Sequence, residues 1–310
     1  MTSLICGSLA FDTIMSFQGR FSEALLADQL HKVNVSFLVP EMRREFGGCA
    51  GNIAYNLNLL GGDPLIMATV GQDGISYLER LAGLGISARC IRVIDSAYTA
   101  QCFITTDVDS NQITAFHPGA MMQSDQNRIA DAGAVKIAIV APDGRDAMLQ
   151  HARDCADAGI DLIFDPGQGM PMFNGEELKH FIDMATYVAV NDYEAELLME
   201  RTGLSLDQIA QRVRALVVTR GELGADIFTA GTLLRIPSVP VEKVVDPTGC
   251  GDAFRAGMLY GLTRGMDWET TGRLASLMGA IKITHQGGQN HVPTRAEIEQ
   301  RFEGAFGYRW

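Results

Sequence analysis

The chain has 310 residues, with 25 Lys+Arg against 37 Asp+Glu, a net charge of −12 and a pI near 4.9. Hydrophobic residues make up 47% and charged residues 20%, the balance of a folded globule and not of a disordered chain. The acidic total argues against a general grip on nucleic acid and against a polybasic membrane anchor, since both need clustered Lys and Arg.

The length fits about two units, or one large α/β domain carrying an insertion. Short apolar runs at Leu4–Leu9, Pro64–Val70, Val135–Ala141, Ile160–Asp165, Tyr187–Val190 and Leu216–Thr219 read as buried strands. Helical stretches alternate with them at Asn52–Leu60, Ile75–Ala82, Asp143–Ala158, Asp192–Arg201, Asp252–Thr263 and Trp268–Thr284. Such alternation predicts a mostly parallel sheet with helices on both faces. Thr13–Phe46 and Thr99–Phe116 break the rhythm with period-two patterning. Val33–Val39 is one example; Cys102–Val108 followed by Ile113–Phe116 is another. These predict a small second sheet, so that residues 13–46 and 99–116 form a lid over a body of 1–12, 47–98 and 117–310. The C-terminal Phe302–Trp310 is expected to end a helix and dock its aromatics.

Six scattered cysteines form no C-x-x-C pair, which suits a reducing cytoplasm and signals no zinc site. No apolar run approaches the roughly 18 residues of a membrane span, and no leader segment is evident. The acceptor-like Asn34-Val35-Ser36 is a chance match in a cytoplasmic chain.

The densest chemistry lies at Asp246-Pro247-Thr248-Gly249-Cys250-Gly251-Asp252. Gly249 and Gly251 free the backbone for a tight turn into a helix, whose first N–H groups make an anion site. Asp252 beside that site can take a proton from a hydroxyl attacking a phosphate; the plainer alternative is a glycine turn with an Asp cap. In Gly47-Gly48-Cys49-Ala50-Gly51-Asn52, paired glycines bring backbone near a ligand and Asn52 offers donor and acceptor to a diol. A capped helix explains the same string. Asn191-Asp192-Tyr193-Glu194 could hold magnesium through water, or simply cap a helix. Thr219-Arg220-Gly221-Glu222-Leu223-Gly224 follows a strand, where open α/β sheets bind ligands, and equally fits a hairpin loop.

Together these segments resemble the ribokinase, or phosphofructokinase-B, family of carbohydrate and nucleoside kinases, over nearly the whole chain. Within it the likeness is greatest to bacterial adenosine kinases, through Gly19–Glu23, Leu30–Val39, Thr105–Asp109, Phe116–Met121 and Asp246–Gly257. The resemblance implies an α/β/α sandwich with a β-sheet lid and ATP-dependent phosphorylation of a purine nucleoside 5′-hydroxyl, adenosine to AMP before any other, with Mg²⁺ accompanying ATP. It implies Asp252 as base and Gly249, Cys250 and Gly251 as anion hole. It implies substrate contacts from Ser8, Asp12, Ser36, Gly48, Asn52, Phe116 and Gln168. It assigns ATP to Asn191, Thr219, Arg220, Gly221, Glu222, Leu223 and Gly224, and magnesium support to Glu194.

Some positions depart from the adenosine kinase pattern. Cys250 replaces an alanine; a thiol at a helix N-terminus is either activated or a small buried stand-in. Cys102 stands where an aromatic is usual, leaving stacking to Phe116, because Phe103 should face the other side of its strand. Gly169 and Met172 replace polar residues near Gln168, which implies a looser purine choice extending to inosine or guanosine. A ribose or fructose kinase and a non-enzymatic nucleoside sensor are the other readings. The aromatic lid disfavours the first and the retained Asp252 disfavours the second. Absent G-x-G-x-x-G, Walker-A and G-x-S-x-G strings remove dinucleotide enzymes, P-loop kinases and serine hydrolases. An exposed lid edge offers a surface for homodimer pairing.

Overall fold

The computed structural model describes residues 1–24, 35–109 and 111–310. In chain order its strands are β1 (Thr2–Cys6), β2 (Ala10–Ser16), β3 (Glu41–Gly47), β4 (Asp63–Gly71), β5 (Ser87–Ile94), β6 (Ala100–Thr106), β7 (Gln112–His117), β8 (Ile137–Val140), β9 (Asp161–Phe164), β10 (Tyr187–Asn191), β11 (Ala215–Thr219), β12 (Ala225–Thr229) and β13 (Thr232–Ile236). Its helices are α1 (Phe21–Ala24), α2 (Cys49–Leu59), α3 (Ile75–Gly83), α4 (Arg145–Asp157), α5 (Gly175–Met184), α6 (Asp192–Thr202), α7 (Leu206–Ala210), α8 (Cys250–Arg264), α9 (Trp268–Ile283) and α10 (Arg295–Phe306).

Nine strands form one sheet in the order β13-β12-β11-β10-β9-β8-β1-β4-β5. It is parallel from β5 through β11; the β11–β12 and β12–β13 pairings are antiparallel, so β12 alone runs against the rest. Continuous apolar runs suit strands covered on both faces, and the pleat divides them. Ile5, Ile137, Ile139, Ile163 and Val217 pack toward α2, α3, α8, α9 and α10. Leu4, Ala138, Val140, Phe164 and Leu216 pack toward α4, α5, α6 and α7. Phe302 anchors the chain end beneath Phe306, Tyr308 and Trp310, as expected.

A second sheet has the order β3-β2-β6-β7. The expected strand across Val33–Val39 is not its member: residues 33 and 34, with the Asn34 acceptor, lie outside the described residues, and 35–39 are not strand. Phe37 leaves the period-two pattern to pack on Phe17 and Phe21, with ring centroids 4.9 and 5.2 Å away. Glu41–Gly47 supplies the strand instead, paired antiparallel with β2. Strands β5, β12 and β13 had no clear sequence signal, because each lies at or near a sheet edge and carries polar residues. Among the described residues, no helix is long and apolar enough to cross a membrane.

The order of strands places the site. After β1 the chain crosses to β4 and β5 on one side, then returns to build β8 through β13 on the other. The C-terminal ends of β1, β8, β9, β10 and β11 therefore open onto one crevice, where parallel sheets bind ligands. Ser8, Asp165, Asn191 and Thr219 stand at or just past those ends. The face opposite the α8 layer depends on Phe164 and Phe181, whose rings stack 4.4 Å apart at 4°. Phe164→Ala should cost about 3–5 kcal/mol, read by urea denaturation at unchanged m-value.

Candidate active site

Two helix N-termini meet at this crevice. Gly249 precedes α8 at φ 76°, a left-handed conformation that disfavours side chains. The Cys250 N–H turns back to Pro247 O at 3.1 Å. The Gly251 and Asp252 N–H groups come next in the first turn, where an α-helix offers no internal acceptor. Asp246 braces the approach: its carboxylate accepts from Thr248 N at 2.9 Å and from Gly287 N at 2.8 Å. Its carbonyl accepts from Lys282 Nζ at 2.8 Å, and the same ammonium reaches His285 O at 2.8 Å. Lys282 is wholly buried, and burial pushes its pKa down while Asp246 opposes the fall.

Asp252 points from this turn toward α2, where Asn52 Nδ2 donates to its Oδ2 at 2.9 Å. The two residues are 200 positions apart in sequence, and their spatial pairing joins the two glycine segments. Burial pushes the Asp252 carboxyl up to about 7; the Asn52 hydrogen bond and Arg255 oppose the rise, while Asp165 and Asp12 add to it. Arg255, one turn further along α8, pairs with Asp165 at 3.1 Å, both nearly fully buried. Its Nε and Nη1 have no hydrogen-bond partner among the described residues. Neither Arg255 nor Asp165 was singled out from sequence as a charge pair. The signal was an Arg three residues after Asp252 and an Asp ending a strand.

Asp12 comes from the small sheet. Cross-strand register sets Glu45, Asp12, Cys102 and Phe116 in one row, on one face. Phe103 pairs with Thr13 and Ala115 in the neighbouring row, so it faces the other side, as period two requires. Burial, with Glu45 and Asp246 nearby, raises the Asp12 carboxyl to about 6. Phe116 is 53% exposed, a ring available to cover a bound group. Glu45, which sequence reading missed, accepts from Asn290 Nδ2 at 2.7 Å and ties this row to the loop after α9.

The glycine pair at 47 and 48 has a different local reason from the one expected. Gly48, at φ 84°, lets its backbone lie against Ser8, Leu9 and Ala10, where a Cβ would collide with main-chain atoms. A Cβ on Gly47 would strike the Asp12 carboxylate. Ser8 Oγ accepts from Cys49 N at 3.1 Å, at the first turn of α2. Gln168 is exposed in the 3₁₀ segment Gly167–Met172, just past Asp165. Ser36 is exposed in the non-strand stretch 35–39.

A cleft of about 680 Å³ runs from the α8 turn, at Cys250 and Gly251, to Asn191 and the turn after β11. Thr219, Gly221, Glu222 and Gly224 line it. Arg220 instead pairs with Asp226 at 2.8 Å, and Leu223 is 75% exposed, so neither lines the cleft. The turn is also the loop of the β11–β12 hairpin, so the bland reading of that string holds as well. The wall of Val239, Val241, Val244 and Ile283 was not anticipated from sequence. Ser276, Gly279 and Ala280 open the adjoining face of α9, and their small side chains at helical spacing were the available signal.

Asn191 and Glu194 form a full capping box on α6. Asn191 Oδ1 accepts from Glu194 N at 2.7 Å, and Asn191 N donates to Glu194 Oε2 at 2.8 Å. Burial and the nearby Asp165 raise the Glu194 carboxyl, against that cap bond and Arg255. Among the described residues, no cluster of three His, Cys, Asp or Glu side chains is placed to hold a metal. At Cys250, burial pushes the thiol up to about 11 and Lys282 only partly offsets this, which favours the small buried stand-in over an activated thiol.

A mostly parallel α/β body, with a small sheet facing a helix N-terminus and its carboxylate, is the ribokinase-like architecture of a kinase. The profile of the pfkB family of carbohydrate kinases matches residues 10–295, and the chain belongs to that family. It is 30% identical over 273 residues to the nucleoside kinase of Methanocaldococcus jannaschii, covering 87% of this chain and 89% of that one. A structure of Burkholderia thailandensis nucleoside kinase in complex with inosine is 58% identical at a TM-score of 0.91, covering 99% of this chain and 100% of that one. The same kinase in complex with ADP-inosine is 60% identical at a TM-score of 0.88, with 99% and 97% covered.

The raised Asp252 carboxyl has a stability consequence. Between the unfolded value near 4 and about 7, the folded state holds a proton that the unfolded state has lost, so stability falls as pH rises. Asp252→Asn removes that loss. Its melting temperature should therefore exceed that of the parent by more at pH 8 than at pH 5, measured by calorimetry.

Proposed function

We propose that this kinase transfers the γ-phosphoryl group of ATP to the 5′-hydroxyl of a purine nucleoside, taking inosine and guanosine as well as adenosine. The observation that carries the reading is the placement of Asp252. It follows Cys250 and Gly251, which line the nucleotide-sized cleft, at the start of α8, and is near enough to Asp12 of the small sheet for that charge to raise its carboxyl. A carboxyl near pKa 7 is a workable general base at neutral pH.

In the proposed reaction the 5′-oxygen bonds to the γ-phosphorus, the bond to the β–γ bridging oxygen breaks, and the hydroxyl proton passes to Asp252. Gly251 and Asp252 N–H groups, with the α8 dipole, receive the charge on the transferring group. Asp12 accepts from the ribose diol, and Asn52 can contribute through the lone pair and proton left over from its own hydrogen bonds. Phe116 stacks on the base, which favours a nucleoside over a free sugar. Asn191 and the turn lining residues seat the ATP.

Magnesium fits this donor set in the way it usually binds with nucleotides, through one or two carboxylates, water and phosphate oxygens. Glu194, one oxygen of which serves the α6 cap, would hold it through water, and the ion supplies charge neutralisation on the phosphates. A base with few polar partners supports the wider purine range: Gly169 and Met172 offer no side-chain hydrogen bond near Gln168. The complexes with inosine and ADP-inosine belong to the 58–60% identical relative and support the same range here. Six free cysteines fit a cytoplasmic setting.

A coupled ADP-release assay across adenosine, inosine, guanosine, ribose and fructose tests the reading. Purine nucleosides should exceed both sugars in kcat/KM by about 100-fold or more. The rate should climb to a plateau above about pH 7. Turnover confined to ribose or fructose would contradict it.

A further inference from the structure

A hydrogen-bond chain runs from Asp252 back to the small sheet. Asn52 Oδ1 accepts from Gln289 Nε2 at 3.1 Å. The same Nε2 donates to Tyr77 Oη at 2.8 Å, and Tyr77 Oη donates to Gly47 O at 2.7 Å. Arg80 Nη2 holds the Gln289 carbonyl at 2.8 Å. Tyr77, Gln289 and Asn52 are 0%, 2% and 4% exposed.

The direction of every link follows from one group. A backbone carbonyl can only accept, so the single Tyr77 hydroxyl proton is committed to Gly47. The Tyr77 oxygen must then accept, which requires nitrogen from Gln289. The second proton on that nitrogen meets Asn52, which must present oxygen. The Asn52 nitrogen is thereby turned to Asp252. Two glycines clear the space: a Cβ on Gly51 would collide with Tyr77 Oη, and one on Gly288 with the Asn52 amide.

We propose that Gln289 and Tyr77 are positioning residues of the kinase reaction: they hold the Asn52 amide nitrogen toward Asp252 and tie that orientation to the end of strand β3 at Gly47. The proposal rests on the nucleoside kinase reading above. A carboxylate facing an N–H is stabilised as the anion; one facing a carbonyl oxygen is driven to keep its proton. The relay thus keeps Asp252 able to accept the substrate proton.

Other charged and titratable groups around Asp252 leave this task to Asn52. Asp165 beyond β9 and Asp12 on β2 push its carboxyl up, and Arg255 on α8 pulls it down. Arg255 is already bound to Asp165. Cys49 on α2, Cys250 on α8 and Tyr77 on α3 are each pushed up by burial, so they stay neutral. Arg80 bonds Gln289 and carries its charge beside Tyr77.

Gln289→Glu tests the relay by replacing the shared NH₂ with an acceptor. Asn52 then turns its nitrogen to the new carboxylate and its oxygen to Asp252. The acid limb of kcat against pH should move up by about one unit or more, and kcat at pH 7 should fall about fivefold or more, with KM for ATP within about twofold of the parent. Gln289→Met removes the donor without adding charge or an acceptor. It should move the limb in the same direction by less, and it carries the test if the Glu variant misfolds. An acid limb unmoved by Met, in an enzyme that turns over nucleosides, overturns the relay alone. A parent enzyme inert toward every nucleoside overturns the functional reading, and the relay with it.

Discussion

In the proposed reaction, the contact between Asn52 and Asp252 organises the chemistry. It is a single 2.9 Å hydrogen bond between the first turns of two helices. Removing a carboxylate from water raises its pKa, and three further carboxylates, Asp12, Asp165 and Asp246, crowd the same region. A bonded amide nitrogen and one buried guanidinium oppose that rise. The resulting value near 7 is a balance: lower, and the base would be weak; much higher, and it would stay protonated.

The two sheets divide the work. The large sheet fixes strand ends and helix starts to within the precision of a packed core, and so sets the anion-receiving turn and the cleft. Lys282 extends that rigidity to the turn itself, because its buried side chain bridges the carbonyls of Asp246 and His285. The small sheet brings Asp12 and Phe116 on one face, and meets the body where Gly47 accepts from Tyr77 and Glu45 accepts from Asn290. In the proposed reaction, a substrate held between them loses water on both sides, which suppresses transfer to water.

Much of this was legible in the sequence because it depends on local patterns. The buried parallel strands announce themselves as apolar runs, and the helices as periodic segments between them. The α8 turn is written in Gly249, Gly251 and Asp252. What stayed hidden depends on long-range pairing. Arg255 and Asp165 are 90 positions apart, and Gln289 reaches Asn52 across 237. Val33–Val39 alternates like a strand, yet Phe37 finds a better site against Phe17 and Phe21 than a sheet face provides. Asn191 and Glu194 carry a motif that serves helix capping in its own right, so the string alone could not separate the two roles. At Cys250 the local string suggests a lowered thiol pKa, while burial, which the string does not display, pushes it up.

The central claim is that Asp252 accepts the proton of the attacking hydroxyl. Single-turnover transfer of labelled γ-phosphate from enzyme-bound ATP to inosine, compared between the parent and Asp252→Asn, tests it at the chemical step. The account predicts a loss of about 10²–10⁴-fold in the transfer rate, with ATP affinity unchanged. Equal transfer rates in the two proteins would contradict it.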